Sequence, residues 1–163
     1  MCSSDLRYAR AFSASAFTLA MEVFLSFDID EEEKLRIAER YIDAAMLLDD
    51  QDPNVLFVLS FVRQNQNRSE DGVIAARKAV ELDTNYANGY IQLASSLIQA
   101  GRPGEALEEI ERGFRLNPGK PFFYLTVLAR ANFMLGRYEK AVQAYEQVVV
   151  KNPAFILDRK SVL

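Results

Sequence analysis

The sequence lacks the side chains on which most catalytic and metal sites depend. It contains no histidine and no tryptophan, and Cys2 is its single cysteine. Histidine is the commonest general base and the commonest metal ligand, and an internal disulfide needs two thiols. We therefore expect a chain without catalytic activity, without a metal ion or other cofactor, and without an internal disulfide.

Charge of one sign and long apolar runs are also scarce. The formal net charge is −4, and lysine and arginine are not clustered as phosphate-binding surfaces require. The least polar stretch, residues 11–27, is interrupted by Glu22 and is shorter than the roughly 20 residues that span a bilayer. Arg7 and Arg10 precede this stretch as in a secretion signal, but small residues 14–16 lie inside it instead of after it. We predict no direct binding to nucleic acid, no membrane insertion and a cytoplasmic location.

What the chain has instead is internal repetition. The segments GRPGEALEEIERGFRLNP and GRYEKAVQAYEQVVVKNP both begin with Gly-Arg and end with Asn-Pro. Gly101 recurs as Gly136, and Pro118 recurs as Pro153, in both cases after 35 residues. A period of this length is typical of stacked helical hairpins, in which no unit can bury its apolar face alone.

The same spacing places small residues at one helix position throughout the chain. Ala106 and Ala141 correspond, and two backward steps of 34 residues from Ala106 reach Gly72 and Ala38. Small side chains allow neighbouring helices to cross closely. The pattern therefore predicts four helices that pack against neighbours in the same way.

Capping and turn residues divide the chain into eight predicted helices. Asp30 with Glu33 is typical of a capping box, and Asp52 precedes a proline at a helix start. Gly101 and Gly136 favour left-handed helix ends. The predicted helices span residues 13–27, 31–48, 53–64, 69–82, 86–99, 103–115, 121–135 and 138–151. Their short connections favour antiparallel neighbours.

The first helix and the chain ends are the least regular parts. Glu22 occupies a position that is Leu56, Tyr90 or Leu125 in later units. This helix is therefore either a degenerate capping element, which we favour, or the end of an upstream domain. Residues 2–6 and 158–162 look like translated sequencing-adapter ends, so we expect residues 1–12 to be disordered or artefactual and residues 158–163 to be artefactual or frayed. The repeat array then covers residues 13–157.

These units resemble the tetratricopeptide repeat. The last unit carries the pattern most fully, with Leu125, Leu128, Ala129, Gly136, Tyr138, Ala141, Tyr145 and Pro153. The unit before it has Tyr90, Leu93, Ala94, Ala106, Gly113 and Pro118. The resemblance implies an all-α, right-handed solenoid of about four hairpins, at residues 19–52, 53–86, 87–121 and 122–155. It assigns repeat packing to Ala38, Ala45, Ala79, Tyr90, Leu93, Ala94, Ala106, Gly113, Leu128, Ala129, Tyr138, Ala141 and Tyr145.

The resemblance also implies a concave groove, lined by the first helices of successive hairpins, that holds a peptide or a partner helix. The expected groove residues are Asn54, Phe57, Phe61, Gln64, Asn65, Asn88, Ile91, Gln92, Ser95, Gln99, Phe123, Thr126, Arg130, Phe133 and Met134. Their mixture of aromatic, amide and cationic side chains suits a peptide. The alternative for Phe57, Phe61 and Phe133 is that they belong to the core.

We therefore predict a non-catalytic protein-interaction module with a protein or peptide partner. One alternative is the regulatory tail of a larger signalling enzyme, because residues 101–142 loosely resemble repeat tails behind bacterial class III nucleotide cyclase domains. A second alternative is self-association through uncapped ends, since residues 155–157 are apolar and no further helix follows them in the sequence.

Overall fold

The computed structural model describes residues 3–25 and 30–153. Within these ranges the chain forms eight helices and no strand: α1 (Ser3–Leu25), α2 (Glu31–Leu48), α3 (Pro53–Asn65), α4 (Ser69–Leu82), α5 (Ala87–Gln99), α6 (Pro103–Leu116), α7 (Phe122–Met134) and α8 (Tyr138–Lys151). The predicted all-α fold is confirmed. None of these helices is long and apolar enough to cross a membrane.

The helices stack as four hairpins. Helices α1 and α2, α3 and α4, α5 and α6, and α7 and α8 form the pairs, and each second helix also contacts the first helix of the next hairpin. The first helices α1, α3, α5 and α7 contact one another in sequence, whereas no contact joins two second helices in the described chain. The stack is therefore a solenoid with the first helices on its inner side.

The ends of three first helices share one backbone geometry. Asn67, Gly101 and Gly136 follow α3, α5 and α7 with φ angles of 59°, 77° and 70°. After α5, the Arg102 backbone N–H donates to the Leu97 carbonyl at 2.8 Å, which closes the helix end as a Schellman motif does. The predicted left-handed ends at the two glycines are confirmed. Asparagine replaces glycine in the earlier turn because its short polar side chain tolerates this conformation.

The predicted cap of α3 is present. Asp52 Oδ1 accepts a hydrogen bond from the Asn54 backbone N–H at 2.8 Å, and Asp52 Oδ2 accepts one from Arg10 Nε at 2.9 Å. Burial raises the pKa of Asp52, but the hydrogen bonds from Asn54 and Arg10 outweigh burial and leave this pKa below its ordinary value. Asp52 therefore both starts α3 and ties it to α1.

The capping box predicted for α2 is wrong. The Asp30 side chain makes no capping hydrogen bond. Glu33, its expected partner, instead pairs with Arg36 one turn later at 2.7–2.8 Å. The sequence pattern could not show this competition, because an arginine three residues away offers the carboxylate a charged donor on the helix surface.

The first helix begins ten residues earlier than predicted, so residues 3–12 are helical instead of disordered. Ala9, Ala16 and Ala20 are all 0% exposed, and this small-residue face packs α1 against α2 and α3. Glu22 remains on the outside, 3.4 Å from Lys34. The predicted features at residues 1–2, 26–29 and 154–163 lie outside the described residues.

The small residues that define the repeat lie in the core. Of the predicted packing residues, Ala38, Ala45, Ala79, Tyr90, Leu93, Ala94, Ala106, Gly113, Ala129 and Ala141 are buried, and Leu128 is half-buried. The prediction that Tyr138 and Tyr145 are packing residues is wrong, because these side chains are 59% and 38% exposed. Both belong to the last described hairpin, where no further described helix covers them.

Candidate functional site

Five polar side chains form a buried hydrogen-bonded group between α3 and α5, which we call the amide–hydroxyl cluster. It comprises Ser60, Gln64, Gln92, Ser95 and Ser96, each at most 8% exposed. Gln92 Nε2 donates to Gln64 Oε1 at 3.0 Å and to Ser60 Oγ at 3.2 Å. Gln64 Nε2 donates to Ser95 Oγ at 2.8 Å, and the Ser60 and Ser96 hydroxyls are 3.1 Å apart. These bonds join the inner sides of the second and third hairpins.

The cluster closes part of the surface that the sequence predicts to be open. Of the predicted groove residues, five are only 3–8% exposed: Phe61, Gln64, Ile91, Gln92 and Ser95. The repeat pattern indicates which helix face points inwards, but not how closely two first helices approach. Here the small Ser60 and Ser96 meet at the contact, so α3 and α5 leave no gap for a ligand.

Of the three ambiguous phenylalanines, Phe61 is buried and Phe57 is half-buried against the core. The Phe57 ring lies 6.0 Å from Phe17 and 5.9 Å from Tyr86, measured between ring centroids. The Phe61 ring lies 5.4 Å from Phe17 and 5.8 Å from Phe24. These contacts join α1 to α3 and place Phe57 against the start of α5. Burial, with a smaller contribution from nearby Asp52, raises the pKa of Tyr86 to about 12.

An open depression remains near the C-terminal ends of the first helices, and we call it the inner groove. Its volume is about 340 Å³. All four hairpins contribute to its lining, which consists of Phe24, Gln64, Asn65, Asn67, Gln99, Thr126, Arg130 and Tyr145. The sequence predicts five of these residues for the groove, namely Gln64, Asn65, Gln99, Thr126 and Arg130.

A second depression adjoins the inner groove at the end of α7, and we call it the end pocket. It has a volume of about 290 Å³ and is lined by Arg130, Phe133, Met134 and Tyr145. Arg130 and Tyr145 line both depressions, so the two depressions are adjacent. Phe133 and Met134, both predicted for the groove, are 61% and 52% exposed.

Internal hydrogen bonds orient the amide side chains of the inner groove. Gln99 Nε2 donates to the Gln64 carbonyl at 3.1 Å and to Asn67 Oδ1 at 3.4 Å. Asn65 and Thr126 each donate to the carbonyl four residues earlier in their own helices. Gln99 Oε1 is buried and accepts no hydrogen bond from the described residues. The lining is thus neutral and polar except at Arg130 and the aromatic rings.

Three predicted groove residues lie elsewhere. Asn54 and Asn88 are at the N-terminal ends of α3 and α5, where Asn54 bonds to Asp52 and Asn88 Oδ1 accepts a hydrogen bond from the Tyr124 hydroxyl at 2.6 Å. Phe123 is near the start of α7, with its ring centroid 4.6 Å from that of Tyr124. None of the three lines the inner groove or the end pocket.

Three lining residues are absent from the prediction: Phe24, Asn67 and Tyr145. Asn67 could have been found from its correspondence with Gly101, since both follow a first helix. The resemblance to the tetratricopeptide repeat assigns Tyr145 to packing, and the residue 35 positions earlier, Ile110, is indeed only 1% exposed. No sequence signal identifies Phe24, because the first helix matches the repeat weakly.

No three histidine, cysteine, aspartate or glutamate side chains come together as metal ligands in residues 3–25 and 30–153. Glu109 is the one carboxyl group in these residues for which a raised pKa is resolved, because burial outweighs the nearby Arg112 guanidinium 3.2 Å away. It lies on α6 and does not line either depression.

Comparison with known proteins supports the repeat assignment. The family model of the tetratricopeptide repeat matches residues 87–120 and 124–149, which belong to the third and fourth hairpins. No curated protein sequence matches the chain significantly. The matched segments cover less than half of the chain.

Solved structures with similar folds extend this result over most of the chain. A thermophilic tetratricopeptide-repeat protein of Thermus thermophilus superposes with a TM-score of 0.72 and 16% identity over 86% of this chain and 75% of that one. A mutant O-GlcNAc transferase of Thermobaculum terrenum gives a TM-score of 0.66 and 17% identity over 81% of this chain. YrrB is described as a tetratricopeptide-repeat protein with an unusual peptide-binding site. It superposes with a TM-score of 0.63 and 18% identity over 78% of this chain and 65% of that one.

These similarities establish the fold. The chain spans only 23% of the length of the transferase, so that protein's activity is not transferred. None of these three relatives is a nucleotide cyclase, and the likeness to cyclase tails stays a prediction, as does the cytoplasmic location.

Proposed function

We propose that this chain is a protein-interaction module that binds a peptide segment of a partner along the inner groove and the end pocket. The main observation in support of this proposal is that all four hairpins contribute side chains to one open depression. A ligand there contacts the whole stack and is positioned by the repeat geometry. No catalytic role is proposed for any residue of the chain.

The chemistry of the lining supports a peptide. Aromatic side chains such as Phe24 and Tyr145 offer contact area, and amides such as Asn65 and Gln99 offer hydrogen-bonding groups. Peptide ligands present apolar side chains and backbone amides together, so they match such a mixed surface. The description of YrrB as having a peptide-binding site is consistent with this use of the fold.

Selection of a random peptide library on the purified chain tests the proposal. We expect selected peptides to lose at least about tenfold in affinity, or about 1.4 kcal/mol, for the variant Thr126→Lys, because a lysine there crowds the inner groove. The measurement is fluorescence anisotropy with each labelled peptide. The matched control is Ile74→Lys on α4, where the wild-type side chain is 67% exposed and does not line the groove.

The control variant is expected to change peptide affinity less than about twofold, well below the roughly tenfold loss expected for Thr126→Lys. Circular dichroism of both variants verifies that the helices remain. A library that yields no binder, or binders that respond to Ile74→Lys and not to Thr126→Lys, contradicts the proposal.

A second candidate function is self-association through the outer side of α8. Val142 and Val149 are 56% and 38% exposed. The residues 35 positions earlier, Leu107 and Phe114, are partly buried against a core cluster to which α4, α5, α6 and α7 contribute. In that earlier hairpin the Phe114 ring lies 6.2 Å from Tyr124 of α7. We infer that a second copy of the chain covers the corresponding face of α8.

Sedimentation velocity over a concentration series tests this candidate. We expect the sedimentation coefficient to rise with concentration, and Val142→Lys to abolish the rise because it places a charge in the apolar contact. Ile74→Lys serves again as the control and is expected to leave the rise unchanged. A wild-type chain that stays monomeric at the highest concentration would rule the candidate out.

A further inference from the structure

We propose that copies of this chain associate head to tail, with α1 of one copy packed against the exposed face of α8 of the next. The inference rests on the self-association proposed above and names the surface of the second copy that covers α8. The two copies use different faces in such a contact, so each copy keeps one free face and further copies can add.

The junctions between hairpins show what covers the outer face of a second helix. In each junction the next first helix packs against it: α3 on α2, α5 on α4 and α7 on α6. A Cβ atom at Gly89 would lie 3.0 Å from Val80 Cγ1, and one at Gly72 would lie 3.2 Å from Ser96 Oγ. The start of α5 therefore lies at the end of α4, and the two helices are antiparallel. A helix that continues this interface beyond α8 is a first helix that runs antiparallel to α8.

The first helices contact the preceding second helix through residues seven positions apart. In α5 these residues are Gly89 and Ser96, and 35 residues later α7 has Tyr124 and Ala131. Both residues of α7 are 0% exposed, and the Tyr124 ring centroid lies 6.2 Å from that of Phe114 on α6. The second residue of each pair is small, which lets the helices approach closely.

Helix α1 has such a pair on a side that no described helix covers, since α1 contacts only α2 and α3. Tyr8 and Ser15 are seven residues apart and exposed, Tyr8 by 61%. Each directly precedes a fully buried alanine, Ala9 or Ala16, and the corresponding residues of α5 and α7 likewise precede buried residues. The Ser15 hydroxyl donates to the Ala11 carbonyl at 3.1 Å, so its burial leaves no unpaired donor. This side of α1 therefore suits contact with a second helix.

The outer face of α8 has the apolar residues that a first helix covers in the preceding hairpin. Val142, Tyr145 and Val149 are 56%, 38% and 38% exposed, and their spacing of three and four residues places them on one side of α8. Ile110, 35 positions before Tyr145, is 1% exposed and belongs to one core cluster with Tyr124 of α7. A first helix on α8 therefore removes apolar surface from water, which favours association.

Charge favours this contact over a two-fold pairing of α8 with α8. Glu139 and Glu146 are exposed, and their spacing places both on one flank of the apolar face of α8. In an antiparallel pair of identical helices the same flanks meet, so the carboxylates of the two copies would repel one another. The residues that α1 offers, Tyr8 and Ser15, are uncharged and bring no like charge to this face.

A mixture of two complementary variants tests the inference by sedimentation velocity. Tyr8→Lys blocks the α1 face and Val142→Lys blocks the α8 face, and each variant alone is expected to associate at least about tenfold more weakly than wild type. Each variant keeps one intact face, so an equimolar mixture is expected to form a one-to-one complex that does not grow further. The wild-type chain has both faces and is expected to assemble beyond a dimer as its concentration rises.

Two further variants complete the test, and circular dichroism verifies the helices of each. Ser15→Lys is expected to act like Tyr8→Lys, and the control Ile74→Lys, at a side chain 67% exposed on α4, is expected to associate like wild type. If both α1 variants associate as strongly as wild type while Val142→Lys does not, this inference is overturned and self-association through α8 stands. A mixture of folded variants that forms no complex also overturns it. A wild-type chain that stays monomeric overturns both.

Discussion

Replacement of Tyr124 by alanine is expected to lower the free energy of unfolding by about 3–5 kcal/mol, as deletion of a buried aromatic side chain usually does. Tyr124 is 0% exposed and is the largest of the fully buried side chains. Its ring centroid lies 6.2 Å from that of Phe114 and 4.6 Å from that of Phe123. The side chain therefore fills the junction between the third and fourth hairpins, and its loss leaves a cavity there.

The variant Tyr124→Phe is the matched control, because it removes only the hydroxyl group. That hydroxyl donates to Asn88 Oδ1 at 2.6 Å, and burial raises the pKa of Tyr124, so the proton stays in place at neutral pH. We expect a loss of about 0.5–1.5 kcal/mol. Urea unfolding is followed by circular dichroism and by tyrosine fluorescence, since coincident transitions are needed before a two-state analysis applies. Equal losses for the two variants would refute the cavity argument.

Tyr124 also shows where the repeat pattern stops being informative. Its equivalent 35 residues earlier is Gly89. A Cβ atom at Gly89 would lie 2.7 Å from Tyr86 Cδ1, so that hairpin has no room for a side chain at this position. The helices themselves follow from the position of proline, glycine and small residues, and α2, α4 and α8 have the predicted bounds. Which large side chain fills a junction depends on its neighbours.

In the candidate site, too, the sequence predicts some features and packing determines the others. Gln99, Thr126 and Arg130, which the register assigns to the groove, lie beside an open depression. It does not distinguish them from Gln92 and Ser95, which occupy the same inner side of the solenoid but are buried. The difference lies in the distance between adjacent first helices, which a periodic pattern does not encode. Which inner-side residues are exposed therefore depends on the three-dimensional packing of the helices and cannot be predicted from the repeat period.

Disruption of the amide–hydroxyl cluster has the second largest expected effect. The variant Gln92→Leu is expected to lower the free energy of unfolding by about 1–3 kcal/mol. Gln92 Nε2 is the donor to Gln64 Oε1 at 3.0 Å, and both residues are at most 8% exposed. Leucine has a similar volume, so the cost arises because the side-chain oxygen Gln64 Oε1 loses its donor.

The double variant Gln64→Leu/Gln92→Leu separates this explanation from a simple loss of packing. Removal of both partners leaves no orphaned amide oxygen, and a buried pair replaced by apolar groups of the same shape is close to neutral. We therefore expect the double variant to be more stable than Gln92→Leu alone, by about 1 kcal/mol or more in a double-mutant cycle measured by urea unfolding. Additive losses would contradict this explanation, because they would mean that the two amides stabilise the α3–α5 junction independently. Coupled losses would mean that the hydrogen bonds hold the junction closed, and a ligand would then be restricted to the open surface at the C-terminal ends of the first helices.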